Sequence, residues 1–387
     1  MTGSNDTLKI ALITITTYGA AVHYVSQLSN ALAKQHGVSV CLPGYTDTSY
    51  FSDDVSLFKL PIPAGLLPAL TTVFQPHLKR VLIHTLSGIK PDVVHLVFEH
   101  RFPFYYAKII GGQYPLVVTF HEPAAVPNRG FIANGIVSVL QFLNNTGLAT
   151  SADKIIIHSD KLRSAHLLAR FPESKIDVVQ IGTFNFFNTK ITGAAESNNL
   201  LFFGRIAHYK GIEYLVKAAQ NAKSSVPDLT VTIAGEGDLS KYRKMIMGEN
   251  WFEIINRYIP DDEVAGLFGK AAILIMPYTD GSQTGLISVA AAFSKPVIAT
   301  DVGNFSEMVD NGTTGLIIPT SDVSALADAI TTLLENPQLR REMGENAKRK
   351  FSCGQFSWEA IAVRTKDIYQ QAVSLHTSKS GPPKIGI

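Results

Sequence analysis

Twelve short runs of β-branched and apolar residues, each followed by a stretch of helical period, constrain this chain more than anything else in it. They are Lys9–Thr16, Val38–Pro43, Val93–Phe98, Leu116–His121, Lys154–Ser159 and Ile176–Gly182. A second set follows at Leu200–Arg205, Leu229–Gly235, Phe252–Ile259, Ala272–Tyr278, Pro296–Thr300 and Gly315–Pro319. Continuous apolar strands of this kind belong to parallel sheets covered by helices on both faces. Twelve exceed what one open sheet ordinarily holds. With 387 residues, the chain suits two domains of roughly 150–200 residues each. The expected fold is α/β, with two doubly wound, Rossmann-like domains.

The polar stretch Asn185–Asn199, rich in Gly, Ala and Ser, has no period and marks the boundary. The first domain is expected over residues 1–185 and the second over 199–355. The tail Phe356–Val373 has helical period and more apolar residues than a free surface helix needs. A helix over about 356–375 is therefore expected to pack back on the first domain.

Lys and Arg number 34 against 32 Asp and Glu, a net charge of +2, which excludes a strongly basic nucleic-acid binder. The two cysteines, Cys41 and Cys353, offer neither a disulfide framework nor a thiolate metal cluster, and the expected compartment is the reducing cytosol. The opening MTGSNDTLKIALITIT lacks the pattern of a secretory leader. Leu60–Leu78 is free of charge but holds four prolines, and Gly130–Ala152 is broken by Asn134, Gln141, Asn144, Asn145 and Thr150. Neither reads as a membrane span.

Parallel α/β sheets bind ligands beyond the carboxyl ends of their strands. In Leu201–Ala219, Gly204 opens the turn after a strand, and Arg205 and Lys210 flank the start of a helix near Gly211. A guanidinium fork and an ammonium on one such loop suit a diphosphate. In Ala272–Gly312 a strand ends at Tyr278 and a turn runs through Asp280–Thr284. Gly285 then leads into a helix over Leu286–Phe293 whose first amides face an anion. A second glycine turn, Asp301–Asn304, follows the next strand. Such loops supply what a sugar nucleotide needs.

The segments GRIAHYKG, TIAGEGD, RYIPDDEVAGLFGKAAILIMPY, KPVIATDVGNFSEMVDNGTTGLIIP and FSWEAIA come in this order. With the looser KIALITITTYGAAVHYVSQLSNALA, PDVVHL, VTFHEP and KIIIHSD, they resemble the GT-B retaining glycosyltransferases of family 4, the glycosyl transferases group 1. That resemblance implies two Rossmann-like domains facing a cleft. It implies hexosyl transfer, with retention, from a nucleotide sugar to a hydroxyl of a sugar or lipid-linked acceptor, in glycan, glycolipid or polysaccharide biosynthesis. A UDP-sugar is expected ahead of a GDP-sugar, with no further cofactor and no nucleic-acid partner. Carried over residue by residue, Arg205 and Lys210 meet the donor diphosphate, with Gly204 at their turn. Gly285 and Leu286 supply helix-start amides. Tyr258 and Ile259 fall where main chain holds the nucleobase, Gly19 and Ala20 match the glycine-rich loop of the first domain, and His121 matches a histidine on the transferred sugar.

The family's usual pair of glutamates, with seven residues between them, falls here on Gly281 and Val289. Neither is acidic, and SQTG resembles a branch that also lacks the pair. Substitutes are expected in Ser282, Gln283 and Thr284, with Asp280 or Glu307 as the carboxylate. No Asp-x-Asp pair ends a strand, so no metal is expected and the two cations take its electrostatic work. The rival from a different class is a catalytically silent GT-B subunit that binds a nucleotide sugar.

Other residues have plainer readings beside the functional ones. Gly235-Glu236-Gly237-Asp238 reads as a strand-to-helix turn. His95, His100, His121 and His158 come from separate strands without ligand spacing. His23 faces a ligand or serves as a hydrogen-bonding residue at a helix start, and Glu122 orients its loop. Leu70, Val73, Phe74, Leu78, Val81, Leu82 and Leu86 recur at helical spacing with His77, Lys79, Arg80 and His84 elsewhere on the wheel. Residues 64–86 are either a basic helix in peripheral contact with the inner face of a membrane or a core-facing helix with a basic outer side.

Overall fold

The computed structural model describes residues 7–15, 20–62, 76–98, 104–121, 143–164, 170–184, 198–281 and 283–380. The chain forms two compact units, Met1–Ile181 with Trp358–Ile387, and Gly182–Ser357.

The first unit is built on seven strands: β1 (Lys9–Ile13), β2 (Gly37–Pro43), β3 (Val55–Leu60), β4 (Val93–Phe98), β5 (Leu116–Phe120), β6 (Lys154–Ile157) and β7 (Ile176–Val178). Their order is β3-β2-β1-β4-β5-β6-β7 and every pairing is parallel. Six of them grow from the apolar runs of the sequence. The seventh, β3, was not among them, and its position explains why. It lies at the sheet edge, only Val55 and Leu60 at its ends are buried, and VSLFKL therefore lacks the continuous apolar run of a central strand.

Leu78, Leu82 and Leu86, four residues apart, put one face of the helix Pro76–Ile89 into the core. That apolar stripe is used by the core, which accounts for these leucines by the core-facing reading. Lys79, Arg80 and His84 remain on the outer side, lining a shallow cavity of about 510 Å³; residues 64–75 lie outside the described part. The helix Trp358–Ser380 closes the first unit. Trp358, Ile361, Ala362, Thr365, Ile368, Tyr369 and Ala372 are buried at helical spacing. Buried acids clasp it: Asp177 receives Arg364 at 2.9 Å, and Asp153 receives His376 at 3.1 Å and Lys379 at 2.8 Å.

The second unit holds β8 (Asn199–Phe203), β9 (Thr230–Ala234), β10 (Phe252–Ile255), β11 (Ile273–Met276), β12 (Val297–Thr300) and β13 (Gly315–Ile318). These six follow the order β10-β9-β8-β11-β12-β13, again all parallel. Residues 182–184 go with this unit because Thr183 donates from its hydroxyl to the Phe351 carbonyl and from its amide to the Phe356 carbonyl at 3.4 Å. Among the described residues no helix is long and apolar enough to cross a membrane.

Candidate active site

The strand order of the second sheet reverses between β8 and β11, the two neighbours at its centre. A crevice opens beyond the carboxyl ends of strands at such a switch point, and ligands of doubly wound sheets bind there. The loops leaving these two strands carry Gly204–Gly211 and Pro277–Gly285, which contain most of the residues singled out from the sequence.

Three of them converge. A Cβ added to Gly204 would lie 3.4 Å from Lys210 Nζ and 3.7 Å from Leu286 Cδ1. Lys210 Nζ donates to the Tyr278 hydroxyl at 2.8 Å and stands 4.7 Å from the centre of the same ring. Tyr278 is buried, meets Phe305 edge-on at 5.3 Å, and has its hydroxyl pKa raised by that burial. Arg205 is exposed, with no hydrogen bond or ion pair among the described residues. One cation is thus held and the other is open.

The loops are laced at the backbone. Thr279 donates its amide to the Tyr209 carbonyl at 2.7 Å, and Thr300 donates its hydroxyl to the Tyr278 carbonyl at 2.6 Å. Gly211 turns at φ +68°, where a Cβ would collide with the Pro277 carbonyl, so only glycine lets the two loops approach this closely. Gly235-Glu236-Gly237-Asp238 forms a turn, as its composition suggested. The Ile206 amide donates to the Glu236 carbonyl at 2.8 Å, which fixes the loop after β8 against it.

The helix Leu286–Ala292 starts at Gly285, where a Cβ would meet the Phe184 ring at 2.5 Å. The Leu286 amide donates to the Thr284 hydroxyl at 3.2 Å, so that helix-start group has a partner within the chain. Asp280 is exposed, and its carboxylate accepts from the Gly281 amide at 2.7 Å. Gln283 keeps a buried side-chain oxygen that accepts no hydrogen bond among the described residues. Val289 is buried in the same helix, as an apolar residue should be. Ser282 lies outside the described residues.

Tyr258 and Ile259 follow the short edge strand β10, Tyr258 half exposed and Ile259 buried. The Tyr258 carbonyl accepts from Arg257, which also forms a two-pronged pair with Glu263 at 2.9 and 2.6 Å. Glu307 is exposed on the four-residue helix Phe305–Met308, with its amide donated to Asn304. Its helix follows β12, whereas Asp280 follows β11.

In the first unit, His121 leaves β5 and His158 leaves β6, and their ring nitrogens lie 3.1 Å apart. His95 sits deeper, between Tyr369 and Thr119 at 2.7 Å each. Burial holds its pKa down to about 3. It is a satisfied core histidine. His23 lies in the first turns of the helix Ala20–Ala33, edge-on to Tyr50 at 4.7 Å. Ala20 opens that helix, while Gly19, His100 and Glu122 lie outside the described residues. Among the described residues no three His, Cys, Asp or Glu side chains gather as metal ligands.

Two doubly wound, all-parallel sheets in one chain are the architecture of the GT-B fold. Residues 19–183 match the family model for Glycosyltransferase Family 4 and residues 186–350 that for Glycosyl transferases group 1. Together the two matches span residues 19–350 and support a glycosyltransferase. It is 32% identical over 183 residues to D-inositol 3-phosphate glycosyltransferase of Arthrobacter sp., a match covering 45% of this chain and 43% of that protein. It is 25% identical over 300 residues to glycogen synthase of Mycobacterium tuberculosis, covering 73% and 69%. Sucrose-phosphate synthase of Thermosynechococcus elongatus superposes with a TM-score of 0.72 at 22% identity over 94% of this chain and 99% of that one. HepE of Anabaena, solved with UDP and glucose, gives 0.70 at 17% identity over 94% and 99%.

Proposed function

We propose that this chain moves a sugar from a nucleotide-diphosphate donor to an acceptor hydroxyl, with retention at the anomeric carbon and without a metal ion. The donor lies on the second unit and the acceptor, a sugar or a lipid-linked sugar, on the first. The observation that carries this reading is the convergence of Gly204, Lys210 and Leu286 at the switch point of the second sheet.

Lys210 and Arg205 stabilise the negative charge that builds on the departing diphosphate. The buried oxygen of Gln283, a costly group to leave unpaired, accepts a hydroxyl of the donor. Thr284, Ser282 and Asp280 on the same loop complete those contacts, in place of the absent glutamates. Tyr258 and Ile259 border the base, and His121 contacts the transferred sugar. A uridine nucleotide fits the reading ahead of a guanosine one, because HepE was solved with UDP.

Calorimetric titration with UDP, GDP, ADP and their glucose conjugates tests the donor side. Binding of UDP-sugar, followed by slow release of free sugar in EDTA, is expected. Binding without any turnover would favour a silent binding subunit. Turnover lost in EDTA and restored by magnesium or manganese would overturn the metal-free mechanism.

A further inference from the structure

Gly285 is a glycine for a reason other than its backbone. Its φ of −83° and ψ of −9° are open to any L residue, unlike the left-handed turn at Gly211. What excludes a side chain is the ring of Phe184. The nearest atoms an added Cβ would meet are Cε2, Cζ and Cδ2 of that ring, at 2.5, 3.3 and 3.6 Å. Phe184 is itself buried, 4% exposed, so no open water lies beside the ring for it to swing into.

The ring is also held from behind. The chain enters the second unit at Gly182 and leaves it at Ser357, and entry and exit are tied to each other. Thr183 donates its hydroxyl to the Phe351 carbonyl and its amide to the Phe356 carbonyl at 3.4 Å. Phe351 belongs to the helix Pro337–Ser352, its ring 4.5 Å from that of Phe356, centre to centre. The same helix grips the far end of the helix Leu286–Ala292, since a Cβ on Gly344 would collide with the Ser294 carbonyl. A closed circuit results. The helix Leu286–Ala292 is held past its end through Ser294 and Gly344, and at its start through Gly285 and Phe184. Beyond that start, Leu286 Cδ1 and Lys210 Nζ stand 3.7 and 3.4 Å from one point, the Cβ position of Gly204. The circuit therefore ends on the cation.

We propose that Phe184 is a positioning residue for the donor: seated on Gly285, its ring sets how far Leu286 and the loop before it stand from Lys210, and so the width of the diphosphate site. The role rests on the reading of Lys210 and that loop as the donor site, which it deepens. Because Thr183 adjoins Phe184, a donor that fixes the loop also tightens the segment by which the chain enters the unit.

A size swap tests this, with UDP-glucose as the probe and calorimetry as the measurement. Gly285→Ala drives a methyl into the ring and should weaken binding by about tenfold or more, because shifting the loop relieves the overpacking. Phe184→Leu removes Cε2 and Cζ but keeps carbon at the δ position, 3.6 Å from the added methyl and in ordinary contact with it. Alone it should cost about threefold, for the packing lost. The double variant Gly285→Ala/Phe184→Leu should return to within about twofold of the unaltered protein. A methyl that obstructed the donor directly would still obstruct it there. Deuterium exchange gives a reading that needs no variant: UDP-glucose should slow exchange at the Thr183 and Phe184 amides. Unchanged affinity in Gly285→Ala overturns the proposal, as does a double variant no better than Gly285→Ala, or exchange at 183–184 indifferent to the donor. If Lys210→Ala binds UDP-glucose as well as the unaltered protein, the donor-site reading falls and the proposal with it. If Lys210→Ala weakens binding and the size swap shows no rescue, the proposal falls alone.

Discussion

The two units share a strand order yet place different chemistry at the carboxyl ends of their sheets. In the first unit the strands end in His121 and His158, packed on Tyr24 and Trp358, all buried. In the second they end in loops bearing Arg205, Lys210 and Asp280, half exposed or exposed. Buried rings must stay neutral, because desolvation penalises their charged forms. Neutral donors and acceptors suit hydroxyls. Loop cations keep their charge at the water boundary and suit phosphates. One ordering of strands therefore carries neutral buried rings in one unit and hydrated cations in the other, through the solvation of a few side chains.

Acid should separate the two units most strongly. His95 and His158 are held down to about 3 and about 4 by burial, against roughly 6.5 when unfolded. Between those values the unfolded chain binds more protons than the folded one. Stability contributed by these neutral rings is thus complete above pH 6.5 and is lost as pH falls toward 4. The loss is on the order of 3 kcal/mol for His158 alone. The two tryptophans report separately, since Trp358 belongs to the first unit and Trp251 to the second. Fluorescence of Trp251→Phe should show an acid transition at higher pH than that of Trp358→Phe, which watches Trp251. Coincident transitions would mean that the buried histidines do not set the acid limit.

Replacing Lys210 with Ala removes the cation that the fold holds in place. Donor affinity should fall by about ten- to a hundredfold, the worth of one charge-assisted contact, with the melting temperature nearly unchanged. Arg205→Ala should cost less, because an exposed guanidinium must be ordered as it binds. Calorimetry with a UDP-sugar measures both. Unchanged affinity in both variants would take the phosphates away from this switch point.

Much of this contrast was legible in the sequence, and the remainder shows what sequence leaves out. The cations were readable because a charged residue at a strand-to-helix turn is exposed by its position alone. Twelve strands were readable because buried parallel strands are continuously apolar, whereas VSLFKL of β3 buries only its ends. The contact between His121 and His158 was not readable, since 37 residues separate them. One signal was present: His121 and His158 follow their strands at equivalent register, which matters only once β5 and β6 are known to be neighbours. The place of Tyr278 beneath Lys210 was missed for a similar reason, because the strand end was read for its loop and not for its ring.

Tyr278→Phe sharpens the account of how the second unit holds its cation. The ring and its contact with the ammonium remain, and only the hydroxyl acceptor at 2.8 Å is lost. A single such bond contributes about 1 kcal/mol, so donor affinity should drop by roughly fivefold. An effect as large as that of Lys210→Ala would mean that the ammonium has no place without the hydroxyl.

The smallest effect is expected from Asp280→Asn, the carboxylate on an otherwise cationic rim. Asp280 is exposed, and its carboxylate accepts from the Gly281 amide at 2.7 Å, a bond that an amide oxygen can accept as well. Charge at an exposed site is screened by water and salt. If Asp280 shapes the loop and shares the donor hydroxyls with Gln283 and Thr284, the variant should lose no more than about threefold in donor affinity. Its turnover and melting temperature should match those of the unaltered protein. Glu307→Gln serves as the comparison, since Glu307 lies on the helix Phe305–Met308, away from that loop in sequence, and is exposed as well. A hundredfold fall in transfer for Asp280→Asn alone, with normal melting, would mean that the Asp280 charge itself is essential to transfer. The second unit would then need an anion among its cations to hold the sugar, and the division between neutral and charged halves would fail at that residue.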